Sequence, residues 1–237
     1  MNERLRKPEE IIEEFFKSVQ RYIQNLTITK NNLMDGLYAF ANKAWEVPKK
    51  YKGNSSQMGF IAEYLVFETV KQYIAKKNNF FFSPIVRTKT SDGRVETNYF
   101  VDDLDKPKHF LCQGLQISDA GLVELGLQKI NKAYDVTYLI KKDVWLVKSI
   151  FEIKSYFDYP GLKGDIDRLT FAEKSYHLDE NFALVFVGFR NKDTLSNKEK
   201  ELINTFTKVK SHFCVLPGEK DQELRNYLLE EVLNFIS

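Results

Sequence analysis

The chain has 237 residues, of which 43% are apolar and 29% are charged. That composition is typical of a folded domain with a sizeable core, and it excludes a disordered or fibrous chain. Lysine and arginine number 35 against 33 acidic residues, a net charge of +2. Any surface for a polyanion therefore has to be a local basic patch.

The N-terminal sequence MNERLRKPEE lacks the apolar core of a signal peptide, and no apolar run reaches the roughly 18 residues of a membrane span. We therefore expect a cytoplasmic protein without a membrane partner. Cys112 and Cys214 are too few for a disulfide framework and have no metal-ligand spacing, so we expect two buried or idle thiols.

Two helical patterns open the chain. Apolar side chains recur at helical spacing over residues 8–26, after a proline near the first turn, and again from about residue 30 to 45. The polar stretch PKKYKGNSS at residues 48–56 has the composition of a connector. We predict that residues 1–54 form an N-terminal helical subdomain with its connector and that residues 55–237 form the main domain.

The main domain begins with a strong helical pattern from about residue 57 to 76. Aromatic and β-branched residues then fill segments 80–89 and 95–101, around the turn sequence Ser91-Asp92-Gly93, which predicts a hairpin. Residues 108–115 fit a further short strand, whereas residues 120–132 are ambiguous.

Residues 134–156 predict a second hairpin around a polar turn. Asp165 is a plausible N-cap for a helix through Ser175, and segment 159–164 reads as a plain turn. The apolar run at 182–189 indicates a strand covered on both faces. The rest predicts a helix, a strand and a helix over 196–209, 213–216 and 221–236. This order predicts an α/β fold, a mixed central β-sheet flanked by helices, with an N-terminal helical extension.

The second hairpin alternates with period two, so that its side chains point to opposite faces. If Ile140 faces Trp145, Asp135 opposes Ile150 and has Glu152 as its diagonal neighbour at about 7–8 Å. The pattern therefore predicts one polar face with Asp135, Glu152 and Lys154. The residues that share the opposite face on the second strand are Trp145, Val147, Phe151 and Ile153.

Asp135 and the triplet Glu152-Ile153-Lys154 resemble the PD-(D/E)xK motif of the restriction-endonuclease-like nucleases. The resemblance covers about residues 57–189, and Tyr134 stands where the family often has proline. That family has a core of a helix, a mixed sheet and a second helix, and residues 55–237 would form this core with C-terminal α/β elements. Its first core helix often carries an acidic residue, which Glu63 matches, whereas Glu68 beside Lys71 reads as an ordinary surface residue.

The resemblance implies Mg²⁺ as the cofactor. Asp135 and Glu152 would supply oxygen ligands, the backbone carbonyl of Ile153 a further one, and Glu63 would join directly or through water. Lys154 would orient or deprotonate the attacking water, or stabilise the transition state. Asp135, Glu152, Lys154 and Glu63 are thus the candidate catalytic residues. The alternative from the residues alone is an ordinary ion pair between Glu152 and Lys154 on a solvated strand.

Within the resemblance, the leading expectation is a type II restriction endonuclease, a homodimer that cuts double-stranded DNA at a specific site and has a companion methyltransferase for that site. Candidate base-reading residues on the first predicted hairpin are Arg87, Lys89, Arg94 and Asn98. Two alternatives stay open: a structure-selective junction or repair nuclease, and a non-catalytic DNA-binding scaffold. A RecB-like exonuclease ranks lower because residues 165–177 contain no glutamine for its QxxxY motif.

Overall fold

A seven-stranded mixed β-sheet between helices forms the centre of the computed structural model. The predicted α/β class, with a mixed sheet flanked by helices, is confirmed. The structure describes residues 17–19, 21–23, 25, 33–44, 55–86, 98–113, 134–218, 224 and 227–237.

The described helices are α1 (Leu33–Ala44), α2 (Ser55–Asn78), α3 (Tyr159–Ser175), α4 (Asn197–Phe206) and α5 (Leu229–Ile236), with a 3₁₀ turn at Lys192–Thr194. The strands are β1 (Ser83–Val86), β2 (Asn98–Val101), β3 (His109–Gln113), β4 (Val136–Lys141), β5 (Trp145–Lys154), β6 (Leu178–Gly188) and β7 (His212–Val215). Within the described ranges, every helix is either too short or too polar to cross a lipid bilayer.

The strands lie side by side in chain order from β1 to β7. Neighbours from β1 to β5 are antiparallel, whereas β5, β6 and β7 are parallel. A parallel pair needs a long crossover connection, and α3 and α4 supply the two crossovers. The carboxyl ends of β5 and β6 therefore meet at one end of the sheet, which is where α/β sheets place their ligand sites.

Both faces of the sheet are covered by helices. The first layer, α1, α2 and α5, packs with Phe151, Ile153 and Val185, and the second layer, α3 and α4, packs with Ile150 and Phe186. This double cover explains the nearly continuous apolar run of β6, because its alternate side chains enter different cores.

The predicted register of the second hairpin is wrong. Trp145 pairs with Lys141 rather than Ile140, and Ile150 pairs with Thr137 rather than Asp135. The register then shifts between Tyr138 and Leu139, since the pairing skips one residue of β5. A turn one residue shorter and one unpaired residue account for the whole difference.

The register shift also divides β5 between the two cores. Trp145 and Val147 pack in the second layer, whereas Phe151 and Ile153 pack in the first, so the prediction of one common face is wrong. Lys148 is the residue that the pairing skips, and its ammonium group lies 2.9 Å from Asp179 Oδ1 at the start of β6. A single extra residue reverses the alternation of everything after it.

Helix α3 begins seven residues earlier than the sequence predicted. Asp158 is its N-cap and accepts a hydrogen bond from the Gly161 amide at 2.9 Å, with Pro160 in the first turn. The segment 159–164 is therefore helical rather than a plain turn. Asp165 is not the N-cap, and its side chain is left available for other contacts.

The other predicted elements agree with the structure at their centres. The strands predicted at 80–89 and 95–101 form the antiparallel pair β1 and β2, and Cys112 and Cys214 are buried free thiols. Helix α5 is described only from residue 229, and residues 17–19 and 21–23 of the first predicted helix are helical. The turn at 91–93, the segment 120–132 and most of the connector at 48–56 lie outside the described residues.

Asp179 should stabilise the β4–β5 hairpin in a pH-dependent way. Burial alone raises its pKa, but hydrogen bonds from Lys142, Lys148 and the Asn181 amide outweigh burial and lower the pKa to about 2, from 3.8. A lowered carboxyl pKa contributes stability that is present above about pH 4 and is lost as the pH falls through the folded value.

We expect Asp179→Asn to lower the free energy of unfolding by about 1–2 kcal/mol near neutral pH and by less at about pH 3. Urea unfolding at the two pH values measures the difference. Glu180→Gln is the control, because Glu180 is 78% exposed and pairs with Lys142 only at 3.6 Å. An equal loss for both variants at both pH values would contradict the role of Asp179.

Candidate functional site

Charged side chains from four segments meet at the carboxyl end of β5. The sheet supplies Glu152 and Lys154, and Asp135 precedes the first residue of β4. The helices bring further charges to the same place. From α2 comes Glu63, and from α3 come Asp165 and Arg168.

Asp135 is held against the end of β5 by the backbone. Its Oδ2 atom accepts a hydrogen bond from the Ile153 amide at 2.6 Å. Val136 pairs with Phe151, so the pairing continued by one residue places Asp135 opposite Glu152 rather than diagonal to it. The two carboxylates therefore lie closer together than the predicted register implied.

Glu152 is a completely buried carboxyl group, with an exposed fraction of 0%. Its Oε2 atom accepts a hydrogen bond from Arg168 Nη2, while Oε1 has no hydrogen-bond partner among the described residues. An unpaired buried acceptor costs about 1–3 kcal/mol. The alternative of an ordinary ion pair between Glu152 and Lys154 on a solvated strand therefore loses its support.

Lys154 lies at the same distance from three acidic side chains. Its Nζ atom is 3.7 Å from Asp135 Oδ2, from Glu152 Oε2 and from Asp165 Oδ1. These distances exceed that of a direct hydrogen bond, so the ammonium group sits between the carboxylates rather than on one of them. The triplet motif and Asp165 therefore belong to one electrostatic unit.

Asp165 and Arg168 join this unit from the second helical layer. Arg168 Nη2 donates to Asp165 Oδ1 at 2.9 Å as well as to Glu152 Oε2. The two residues are three positions apart on α3, which places them on one face of the helix. Tyr134, the residue before Asp135, donates a hydrogen bond from its hydroxyl group to the Arg168 carbonyl oxygen at 3.3 Å.

Glu63 faces the unit from the first helical layer. Burial and, to a smaller extent, the negative charge of Asp135 together raise its pKa to about 7, from 4.5, against the opposing effect of Lys154. The pKa of Glu63 is thus affected by Asp135 and Lys154, two motif residues that the resemblance assigned to the same site. In contrast, Glu68 is not a surface residue, since it is 3% exposed and pairs with Lys71 at 2.5 Å.

The pKa values of the other members reflect burial first and a surplus of neighbouring carboxyl groups second. Burial and the charge of Asp135 raise the pKa of Glu152 to about 9, against the opposing Arg168 and Lys154. Burial also raises the pKa of Asp165. Burial lowers the pKa of Lys154, but the surrounding carboxylates prevail and raise it above the ordinary value.

Counting formal charges gives the same result. Glu63, Asp135, Glu152 and Asp165 contribute −4 when ionised and Lys154 and Arg168 contribute +2, so −4 + 2 = −2. That deficit equals the charge of one divalent cation, and carboxylate oxygens are ligands that Mg²⁺ prefers. The buried Oε1 atom of Glu152, which has no hydrogen-bond partner within the described ranges, fits the same ion.

The side chains as they stand do not form a ready-made metal cage. Among the described residues, no three acidic, histidine or cysteine groups lie close enough together to hold a metal ion. Within this cluster, Lys154 and Arg168 lie between the carboxylates and neutralise part of their charge. A metal ion would therefore have to replace one of these internal cations at Glu152.

Sequence reasoning missed Arg168 and set Asp165 aside as a helix cap. The signal was present as an Asp–Arg pair at i and i+3 on the helix after the triplet. The face of the helix that carries this pair could be predicted only from the correct helix start, which follows the N-cap Asp158.

The structure describes only one of the four predicted base-reading residues. Arg87, Lys89 and Arg94 lie outside the described residues, and Asn98 is the first residue of β2. Asn98 pairs with Gln113, which in turn pairs with Val136 next to Asp135. The start of β2 therefore lies at the same end of the sheet as the charged cluster.

No family model, curated protein or solved structure matches the chain. The resemblance to restriction-endonuclease-like nucleases therefore stays a prediction. What supports a function is the chemistry of the charged cluster itself.

Replacing Glu63 by Gln should stabilise the protein in the absence of divalent cations. The folded pKa of about 7 lies above the ordinary 4.5, so the folded state binds a proton more tightly and the wild-type protein loses stability as the pH rises between these values. Glutamine has no such penalty. We expect a gain of roughly 1–2 kcal/mol that develops across this pH window and stays constant above it.

The gain is measured from thermal unfolding at about pH 5 and about pH 8 with a chelator present. Glu199→Gln is the matched control with the opposite sign. Burial raises the pKa of Glu199, but hydrogen bonds from Ser196 and Arg190 prevail and lower it, so this variant should lose stability. A loss for Glu63→Gln at about pH 8 would refute the excess negative charge.

Proposed function

We propose that this protein is a Mg²⁺-dependent DNA endonuclease that hydrolyses phosphodiester bonds. The observation that carries the proposal is the position of Lys154 Nζ, which lies 3.7 Å from Asp135, Glu152 and Asp165. The carboxyl group of Glu152 beside it is fully buried, and one of its oxygens has no hydrogen-bond partner in the described part of the chain. A structural ion pair does not require a surplus of buried carboxylates, whereas binding a metal ion does.

Asp135 and Glu152 would hold the metal ion, with Glu63 directly or through water and the Ile153 carbonyl as a further ligand. A bound Mg²⁺ supplies Lewis-acid polarisation of the phosphoryl oxygen and a water of lowered pKa. The mixed sheet between helices α2 and α3 supports this assignment, because the resemblance implies a core of a helix, a mixed sheet and a second helix.

Lys154 acts as a fixed positive charge rather than as a base. The surrounding carboxylates raise its pKa above the ordinary value, so the ammonium group stays protonated near neutral pH. A charged group held at the reaction centre stabilises negative charge that develops on the phosphoryl oxygens. Of the roles that the motif allows, this one agrees with the electrostatics of the site.

The first hairpin is suited to contact DNA beside the site. Val86 and Asn98 flank the segment that carries Arg87, Lys89 and Arg94, and both flanking residues lie at the site end of the sheet. Asn98 is three strands from β5, about 14 Å at the usual strand spacing. We propose that a homodimer of the protein cleaves double-stranded DNA at a specific sequence, as in type II restriction. A companion methyltransferase would act on the same site.

A non-catalytic DNA-binding protein is the second candidate. The contact between Arg168 and Glu152 favours it, because an internal cation already neutralises the buried carboxylate. A catalytic protein has to exchange that contact for a metal ion, whereas a scaffold keeps it.

DNA cleavage distinguishes the candidates. We expect purified protein with Mg²⁺ to cut plasmid and phage DNA into discrete bands. Asp135→Ala and Lys154→Ala should lower the cleavage rate by at least about 100-fold, because each removes a ligand or a charge at the reaction centre, while DNA binding stays largely intact. Gel assays of cleavage and fluorescence anisotropy of binding measure the two quantities.

Lys163→Ala is the matched control, since Lys163 is exposed on α3 and pairs only with Asp167 among the described residues. It should cut like the wild type. A smear or junction-selective cutting would favour a structure-selective nuclease, and DNA binding without cutting would favour the scaffold. Full cleavage by Asp135→Ala or Lys154→Ala would refute the site.

Metal affinity should rise with pH. The raised pKa values of Glu63, about 7, and Glu152, about 9, mean that an incoming ion has to displace protons. Isothermal titration calorimetry with Ca²⁺ should give tighter binding at about pH 8 than at about pH 6, with proton release that depends on the buffer. Glu152→Gln should abolish most of the binding, and affinity that falls with pH would contradict this assignment.

A further inference from the structure

Arg168 occupies an unusual position for an arginine near a proposed metal site. It reaches from α3 to a carboxylate that is 0% exposed, while its own side chain remains 33% exposed. The guanidinium group thus joins the buried end of the site to the surface. Asp165 and Arg168 also line an open surface depression of about 500 Å³, together with Gly164, Asp167 and Phe171.

Two cations would compete for the same carboxylate. Glu152 has one oxygen that contacts Arg168 and one that has no hydrogen-bond partner among the described residues. A guanidinium group and a divalent ion bound together at Glu152 would place like charges a few ångströms apart, which is strongly unfavourable in a buried site.

Asp165 offers Arg168 a second partner. The Arg168 Nη2 atom already lies 2.9 Å from Asp165 Oδ1, on the same face of α3. If the contact with Glu152 is lost, the guanidinium group therefore keeps its hydrogen bond to Asp165. It can then turn toward the surface depression that the two residues line. This exchange does not require α3 itself to move.

We propose that Arg168 is the resident counter-ion of Glu152, and that a divalent cation displaces it from Glu152 while Asp165 retains it. The inference rests on the proposed function, because the displacing ion is the one that the site would bind. Arg168 is then a positioning residue that holds the metal-free site together. With the cation bound and all four carboxyl groups ionised, the charges of the cluster cancel, and Arg168 is still attached through Asp165.

Metal affinity without DNA tests the competition. Arg168→Gln removes the competing charge, and we expect Ca²⁺ to bind at least about 5-fold more tightly at about pH 8 by calorimetry. Arg168→Lys retains the charge and should stay near the wild-type affinity. A merely structural arginine would give the opposite result, because its loss would loosen the site and weaken binding.

Arg190→Gln is the matched control. Arg190 is also a half-buried arginine that pairs with a buried glutamate, Glu199, at 2.8 Å. Its loss should lower stability without changing Ca²⁺ affinity. Unchanged or weaker Ca²⁺ binding by folded Arg168→Gln would overturn the inference.

Nuclear magnetic resonance of the wild-type protein gives a second readout, which stays valid if Arg168→Gln fails to fold. With ¹⁵N-labelled arginine, the side-chain signals of Arg168, assigned with Arg168→Lys, should move on addition of Ca²⁺, whereas those of Arg190 should not. Arg168 signals that stay in place at saturating Ca²⁺ would overturn displacement. Wild-type protein that binds no Ca²⁺ through Glu152 would instead overturn the proposed function itself.

Discussion

The burial of Glu152 is the constraint on which the rest of the site depends. A carboxylate removed from water at the end of a central strand is expensive unless cations or hydrogen bonds compensate it. Arg168 and Lys154 provide part of that compensation, and one carboxylate oxygen still has no hydrogen-bond partner among the described residues. The remaining deficit of positive charge is the physical basis of the proposed cation binding, because an ion that binds only the folded protein stabilises it.

Helix α3 serves both the fold and the site. Its start at Asp158 sets the phase of the whole helix, so that Leu162 and Leu169 enter the second core while Asp165 and Arg168 reach the end of β5. If the helix began one residue later, each of these side chains would be rotated by about 100° about the helix axis. The leucines would then no longer face the core, and the two charged residues would no longer face the end of β5. The N-cap residue Asp158 therefore supports the site indirectly, because it sets the start of the helix, although it contacts none of the charged groups named above.

The skipped residue Lys148 has a comparable effect on the sheet. It changes the pairing of β4 and β5 so that the first residue before β4 faces Glu152, and it sends the early and late parts of β5 into different cores. Its ammonium group also donates a hydrogen bond to Asp179 at 2.9 Å. One irregularity thus fixes the separation of Asp135 and Glu152 and also ties the hairpin to the parallel half of the sheet.

Local patterns were sufficient for the elements and for the motif. Period-two and helical spacing predicted the α/β class, most strands and a polar face with Asp135, Glu152 and Lys154, and the resemblance added Glu63. The exact register, the start of α3 and the burial of Glu152 needed the tertiary structure, because each depends on which residue is left unpaired or which helix covers a strand. Arg168 belongs to that second group, since its spacing from Asp165 indicates a pair on one helix face but not the buried carboxyl group of Glu152, sixteen residues away, that it contacts.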